Sequence, residues 1–414
     1  MTTKTGGGRA ISTILLATAI AGGTGYIIQL ILIGSNDHEQ MLRITAFWST
    51  LYLVVAGLSG IQQEVGRATH PVPRTASTGA LRFTLLAAGA IAAILALSGL
   101  LWAPQLFPAG PWTALSAMIV GAVGYVAVAV LCGVLYGIEF WRAVAGMMII
   151  DALLRLVLVV PVTLWTDSVA LTEWAVVLPF PLSVVLYWPF IRHRVRGSFT
   201  LDVRLPRLSW NVSRTVVATI ATGVLVSGFP LVFQATSQHD SIAERATVVA
   251  LVTLTRAPIV IPLMSLQSFL ISRFRGNEHT GLLIVKLIGA VAAGSVVLGL
   301  LAAWIGPWIL GLSFFGGKYE GVSGVLVAAV VITAGATAAL CVTGSAVLAR
   351  GLHTAYVAGW VVSAISLILI LVLPLPVDVR AVTALGVAPL LGLAVHAVTL
   401  FRTRGSVPAV PAEG

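Results

Sequence analysis

Arg256 is the first residue whose position could support chemistry, because it lies near the middle of the apolar segment VTLTRAPIVIPLMSLQSF. Inserting an arginine at the centre of a membrane helix costs at least about 2.5 kcal/mol, so its side chain is expected to face protein or water. Thr253 and Gln267 share roughly the same helical face. Guanidinium binds phosphate through two hydrogen bonds and keeps its charge, so this polar stripe predicts an anion contact. A structural ion pair, or a shorter helix ending near Arg256, would also explain the residue.

Asp151 and Arg155 form a second charged group, inside the apolar segment MMIIDALLRLVLVV. Their i, i+4 spacing places both side chains on one helical face, where they can neutralise each other. Pairing lowers the free energy of inserting both charges, so we favour a structural ion pair. The alternative is a site facing a cavity, in which Asp151 binds a coupling ion, H+ or Na+.

A third polar group ends the second apolar segment, which closes as GLSGIQQEVGRATH. Gln63, Glu64 and Arg67 lie there at the expected cytoplasmic end of a helix. Such residues commonly extend their polar ends to the membrane interface, and we favour this explanation. The functional alternative is an entry site for a charged headgroup.

Other kinds of chemistry lack support in the sequence. No group of His, Cys, Asp and Glu has metal-ligand spacing, and no phosphate-binding pattern G-x-x-x-x-G-K-[ST] occurs. Cys132 and Cys341 lie far apart in apolar segments and are expected to be inert. We therefore expect no cofactor. No basic run alternates with aromatic residues, so nucleic-acid binding is not expected either.

The elements that position these residues are predicted to be membrane helices. Hydrophobic residues make up 58% of the 414, charged residues only 9%, and the mean hydropathy is +1.02. A soluble chain carries about 25% charged residues, so lipid must be the solvent of this one. The unbroken apolar runs exclude strands as the spanning elements. Twelve segments are long enough to cross a bilayer: 10–34, 45–65, 80–103, 112–136, 143–166, 170–191, 213–235, 246–271, 282–306, 322–348, 354–374 and 381–401.

The distribution of Lys and Arg sets the expected orientation. Of the 24 such residues, most fall on one side of this arrangement. The expected outer side holds only Arg43, Arg245, Lys318 and Arg380. Cytoplasmic loops of membrane proteins are rich in Lys and Arg, so both termini are predicted to be cytoplasmic, in a bacterial plasma membrane. The net charge of +10 follows from this rule and from attraction to anionic membrane lipids.

The longest polar stretch, RHRVRGSFTLDVRLPRLSWN, divides the predicted helices into two lobes of six. We predict an N-terminal lobe over residues 1–191, a basic linker over 192–212, a C-terminal lobe over 213–402 and a tail over 403–414. Two lobes that enter the membrane in the same direction are typical of transporters with parallel repeats.

Several predicted helices contain residues that break or bend helices in lipid. They are Gly22, Gly23 and Gly25 in the first helix, Gly228 and Pro230 in the seventh, and Pro258 and Pro262 in the eighth. Such residues either make bendable helices that line a cavity or belong to the ordinary composition of membrane helices.

Together these segments resemble the polysaccharide flippases of the multidrug/oligosaccharidyl-lipid/polysaccharide (MOP) exporter superfamily. The resemblance covers most of the chain. It rests on the twelve segments, the glycine-rich TAIAGGTGYIIQLIL, the end of the second helix, the arginine and prolines of the eighth, and the segment from Tyr319 to Val357. It implies a cavity lined by the first, second, seventh and eighth helices, in which Arg256 and Arg67 contact a lipid-linked diphosphate. The chain lacks the first-helix charges and the two extra C-terminal helices of the lipid II branch.

The function expected from this resemblance is flipping of a prenyl-diphosphate-linked saccharide to the outer leaflet by alternating access, without enzymatic activity. The expected partners are this substrate, membrane lipids and a coupling ion, H+ or Na+. One alternative is a small-molecule or multidrug exporter. Another is a polyprenyl-dependent glycosyltransferase, suggested by Asp37 and Glu39 in the outer loop SNDHEQMLR, although the long outer loops of such enzymes are missing.

The orientation can be tested with a reporter that is active only outside the cytoplasm. It should be active when fused after residues 37, 108, 168, 240, 318 and 378, and silent after residues 70, 139, 200, 278, 352 and 410. Activity after residue 200 would contradict the division into six plus six helices.

Overall fold

The structure is a computed structural model that describes residues 4–71, 79–265, 270, 271, 273, 274 and 280–403. Helices account for nearly all of it, because an unbroken apolar segment in lipid must satisfy its own backbone hydrogen bonds. The first helices are α1 (Lys4–Ser35), α2 (His38–Ala68), α3 (Gly79–Leu106), α4 (Pro111–Gly137), α5 (Trp141–Trp165), α6 (Val169–Val177) and α7 (Pro179–Val195). They are followed by α8 (Leu205–Val226), α9 (Phe229–Thr236), α10 (Ile242–Ser265), α11 (Thr280–Leu310), α12 (Gly324–Ala349), α13 (His353–Leu371) and α14 (Val377–Arg402).

The predicted all-helical membrane architecture is confirmed. Within the described ranges, ten spans are long and apolar enough to cross a bilayer, with α6 and α7 forming one of them. The pair α8–α9 raises the number to eleven. The predicted eighth segment coincides with α10 up to Ser265.

The predicted helix interruptions have different outcomes. The seventh segment breaks after Val226, and α8 and α9 meet at an angle of 70°. Gly228 lies at this break, and Pro230 falls in the first turn of α9, where a missing backbone N–H is tolerated. In contrast, α1 runs without a break through its three glycines, which favours the alternative that they belong to the ordinary composition of membrane helices. The backbone of α10 also continues through both prolines as far as Ser265.

The chain forms two compact units, residues 1–250 with 313–318 and residues 251–312 with 319–414. In the first unit, α2 and α4 supply the centre of the core, where Phe47, Leu51, Met118 and Ala122 are fully buried. The outer surface of α3 is apolar and exposed, as expected for a helix that faces lipid. In the second unit, α12 packs against both α11 and α14 and is buried along most of its length.

Small residues allow α2 and α8 to pack closely in the first unit. A Cβ atom added to Gly60 would lie 3.0 Å from the backbone nitrogen of Val216. One added to Gly223 would lie 2.7 Å from Cβ of Ala56. At this contact, the Thr219 hydroxyl donates to the carbonyl of Gly57 at 3.0 Å. Close backbone approach of this kind drives helix association in lipid, where the hydrophobic effect does not.

Two loop contacts complete the first unit. Lys318 Nζ donates to the carbonyls of Gly34 at 2.7 Å and Asn36 at 2.6 Å, which caps the end of α1. Partial burial lowers the pKa of Lys318, and nearby Asp37 opposes this shift. On the expected cytoplasmic side, strand β1 (Thr69–Pro71) pairs antiparallel with β2 (Phe199–Leu201). The predicted linker therefore contains β2 and the start of α8, and the predicted lobe boundaries stay a prediction.

The contact between α2 and α8 generates a stability prediction. Gly60→Leu should lower the thermal midpoint of the purified protein, because overpacking costs about 1–3 kcal/mol and the atom in the way is backbone. Gly89→Leu is the matched control, since nothing lies within 4 Å of its added Cβ on exposed α3. Equal midpoints for the two variants would show that the close contact does not matter.

Candidate functional site

Arg256 is buried in the helix α10, within the second unit. Its Nη2 atom donates a hydrogen bond to the hydroxyl of Thr337 on α12. Thr337 is fully buried. The thiol of Cys341, one turn further along α12, is close enough to interact with the guanidinium electrostatically. In the described part of the chain, Arg256 forms no ion pair with a carboxylate. Among the described residues its bonding partner is therefore neutral, and the bond to Thr337 uses one of the five N–H donors of the guanidinium.

The predicted stripe around Arg256 is only partly described. Thr253 is half-buried one turn before Arg256 on the same helix. Gln267 lies outside the described residues. The partner Thr337 was missed by sequence reasoning, because the two residues are 81 positions apart and ITAGATAALC gives no signal of a contact.

The polar end of α2 belongs to the first unit. Arg67 donates to Glu64 Oε1 at 2.9 Å, and the hydroxyl of Thr215 on α8 donates to the same oxygen at 2.7 Å. Glu64 is buried, whereas the Arg67 side chain is 72% exposed and Gln63 is exposed. Glu64 thus links two helices, and Arg67 presents its charge to solvent.

Asp151 and Arg155 are brought together on α5 as a bidentate pair. Arg155 donates to Asp151 Oδ2 at 2.8 Å and to Oδ1 at 3.1 Å. A third donor, Nε, points to the carbonyl of Val176 at 3.4 Å. The guanidinium carbon also lies 4.7 Å from the ring centre of Phe180 and 5.8 Å from that of Tyr52, which are cation–π distances. Both charges are therefore compensated inside the first unit.

Two further ionisable groups lie inside helices and were missed by sequence reasoning. Glu173 on α6 is fully buried, with Oε1 3.5 Å from Nε of Arg43 on α2. His396 on α14 is also fully buried and bonds to Thr343 and Tyr356. Both interrupt predicted apolar segments, 170–191 and 381–401, so ionisable residues within such segments were the signal that could have found them.

No group of three or more His, Cys, Asp and Glu side chains is placed to hold a metal ion in residues 4–71, 79–265 and 280–403. Cys132 and Cys341 are both buried free thiols. The polar groups described above can therefore contribute charge and hydrogen bonds, and none of them forms an arrangement suited to metal chemistry.

Comparison with other proteins identifies relatives over nearly the whole length. The chain is 30% identical over 399 residues to the Mycobacterium tuberculosis protein named "Uncharacterized protein Rv1510", covering 95% of this chain and 92% of the relative. It is 28% identical over 410 residues to "Uncharacterized protein Rv3630" of the same species, with the same coverage. No family model matches the chain.

Solved structures with the same fold are transporters. An outward-facing multidrug resistance MATE family transporter of the MOP superfamily matches 96% of this chain and 97% of its own, with a TM-score of 0.65 at 15% identity. The inward-facing form gives a TM-score of 0.64 at 14% identity over 94% and 95% of the two chains. A MOP superfamily transporter from Pyrococcus furiosus, described as having a binding pocket of reverse polarity, gives 0.65 at 14% identity over 96% and 97%. The chain therefore has the MOP fold.

The pair on α5 can be tested by a double-substitution cycle. Asp151→Leu or Arg155→Leu alone should lower the yield of folded protein, because each leaves an unpaired charge whose burial costs about 3–5 kcal/mol. The double variant should recover the yield, measured by size-exclusion chromatography in detergent. A double variant that is well folded but inactive in transport would show that the pair has a functional role instead.

Proposed function

Because the chain belongs to the same family as the M. tuberculosis protein Rv1510 and has the MOP fold, we propose that it is a membrane transporter of the bacterial plasma membrane. Its proposed substrate is a prenyl-diphosphate-linked saccharide, moved from the cytoplasmic to the outer leaflet by alternating access. The transporter fold supports a function other than catalysis.

The buried cation on α10 is the observation that carries this proposal. Arg256 is 7% exposed, and its bonding partner among the described residues is a neutral hydroxyl. Retaining an uncompensated charge in a membrane helix is costly, so such residues usually serve a function. A diphosphate is the complementary ligand, because its oxygens accept two parallel hydrogen bonds from one guanidinium.

Arginine also fits the demands of moving a diphosphate through lipid. The anion loses hydration as it leaves the membrane surface, and a cation that stays charged replaces part of that hydration. Thr337 would orient the guanidinium through one donor and leave the others for phosphate oxygens. Removing this cation should therefore slow movement of the headgroup more than it affects folding.

Arg67 supports a first contact at the membrane surface. Its side chain is mostly exposed, and Glu64 binds one of its nitrogens from a buried position fixed by Thr215. Such an arrangement holds the guanidinium near the expected cytoplasmic interface, where it would meet a headgroup.

A small-molecule exporter is the second candidate, favoured by the multidrug transporters among the proteins of this fold. The charge of the site distinguishes the two candidates. A cationic drug would be repelled by Arg256, which has no carboxylate partner in the described ranges, whereas an anionic headgroup would be attracted.

The decisive measurement is translocation of a fluorescent prenyl-diphosphate-linked monosaccharide in vesicles containing the purified protein. Arg256→Ala should reduce the rate at least about tenfold, because a charged hydrogen bond contributes about 1.5–3 kcal/mol. Arg256→Lys should keep part of the rate, since it supplies charge without the planar fork. Arg256→Ala should express well, because removing the charge lowers the insertion cost, and Arg256→Lys should express like the wild type, because the charge is unchanged.

Arg402→Ala is the matched control, since Arg402 is exposed at the end of α14. It should translocate at the normal rate. Unchanged translocation by Arg256→Ala would exclude Arg256 from the site. Loss of folded protein in that variant would instead assign the arginine a structural role.

A further inference from the structure

His396 lies in the core of the second unit, between three helices. Its Nδ1 atom is 3.1 Å from the hydroxyl of Thr343 on α12, and Nε2 is 3.3 Å from the carbonyl of Tyr356 on α13. The ring lies parallel to that of Tyr356, with their centres 6.3 Å apart. A Cβ atom on Gly359 would collide with the imidazole, so glycine there leaves room for the ring. The histidine is thus held by both nitrogens.

The two contacts determine the tautomer of the neutral ring. A carbonyl only accepts, so Nε2 must carry a hydrogen and donate it to Tyr356. Nδ1 then accepts the hydroxyl hydrogen of Thr343. The same contacts also accommodate the charged form, because the Thr343 hydroxyl lies 3.0 Å from the carbonyl of Leu340 and 3.2 Å from that of Ala339. When a proton binds Nδ1, the hydroxyl turns to donate to Leu340 and accepts the new N–H.

Every donor at the site therefore has an acceptor in both protonation states, and one hydroxyl rotation converts one pattern into the other. A buried proton site needs this property, since an unmade hydrogen bond would cost about 1–3 kcal/mol. Asp151 differs, because both its oxygens already accept from Arg155. We propose that His396 is a proton-binding site, and that the proton it binds is the coupling ion of the transport cycle.

This inference rests on the proposed transport function and adds the ion that drives it. The charged and titratable groups on the surrounding helices are Cys341 on α12 with Arg350 directly after that helix, His353 and Tyr356 on α13, and Asp378, Arg380 and Arg402 on α14. The single carboxylate, Asp378, is eighteen residues from His396, or about 27 Å along the helix. A proton on His396 thus adds a positive charge that no carboxylate of these three helices compensates, which favours its release during the cycle.

The end of α14 is exposed and lies close to His396 along the helix. Arg402 follows His396 by six residues, or about 9 Å of helix, and lies on the side predicted to be cytoplasmic. Two buried polar side chains follow Tyr356 along α13. Trp360 Nε1 and Ser363 Oγ are buried and make no hydrogen bond within the described part of the protein. Each of these atoms can still form a hydrogen bond to a further polar group.

Protonation can be observed directly. Protein labelled with ¹⁵N-histidine, in vesicles of phosphatidylethanolamine and phosphatidylglycerol, should be titrated by solid-state NMR from about pH 8 to pH 5. The signals lost in His396→Gln identify this ring. We expect hydrogen on Nε2 alone at high pH and on both nitrogens at low pH. Thr343→Val should lower the midpoint by about one pH unit, because Nδ1–H loses its acceptor, and Thr343→Ser should restore it. A ring with one N–H throughout would overturn the proposal.

Coupling requires a second measurement in the same vesicles. The initial rate for the fluorescent prenyl-diphosphate monosaccharide should change several-fold with an imposed pH gradient. His396→Gln should abolish this response, whereas His353→Gln, at an exposed position on α13, should keep it. If the wild-type translocation rate does not change with the pH gradient, the proposed coupling is wrong, while the proposed flippase function is unaffected. Absence of any translocation would contradict the proposed substrate, and the NMR titration would then decide whether His396 binds a proton.

Discussion

The structure depends on the cost of placing charge inside lipid. Every ionisable side chain within a membrane helix must find a partner or serve a function that outweighs this cost. In the first unit, buried charged side chains lie beside side chains of opposite charge. Asp151 neutralises Arg155 through two hydrogen bonds, and Glu173 lies beside Arg43. The aromatic rings of Tyr52 and Phe180 also lie at cation–π distances from the guanidinium of Arg155.

The second unit satisfies two of its buried ionisable groups differently. Arg256 bonds to the hydroxyl of Thr337, and His396 to a hydroxyl and a carbonyl. Neutral partners orient a side chain and do not compensate its charge. Groups held in this way remain able to respond to an anion or a proton, whereas bidentate pairs are already satisfied. This difference is why the proposed substrate contact and the proposed proton site both fall in the second unit.

Helix packing brings buried polar groups to the partners that they need in lipid. Without a hydrophobic force between helices in lipid, close contact depends on small side chains. Gly57 and Gly60 let α8 approach α2, and this approach places the Thr215 hydroxyl within reach of Glu64. Gly359 similarly leaves space for the ring of His396. Small residues thus determine which polar groups meet, although they carry no polar atoms in their own side chains.

The helical membrane architecture could be predicted from the sequence alone, because span length and scarcity of charge are local properties that any window of residues reveals. The sequence also placed Asp151 and Arg155 together, since i, i+4 spacing within one helix is local. Partners from distant segments needed the tertiary structure. Thr337 meets Arg256, Thr215 meets Glu64 and Thr343 meets His396 only because separate helices pack at particular rotations. The tertiary structure also decided which prolines and glycines break a helix. The backbone of α10 continues past Pro258, whereas the chain bends before Pro230. Hydropathy records how apolar a helix is, and packing alone decides which of its faces meets which neighbour.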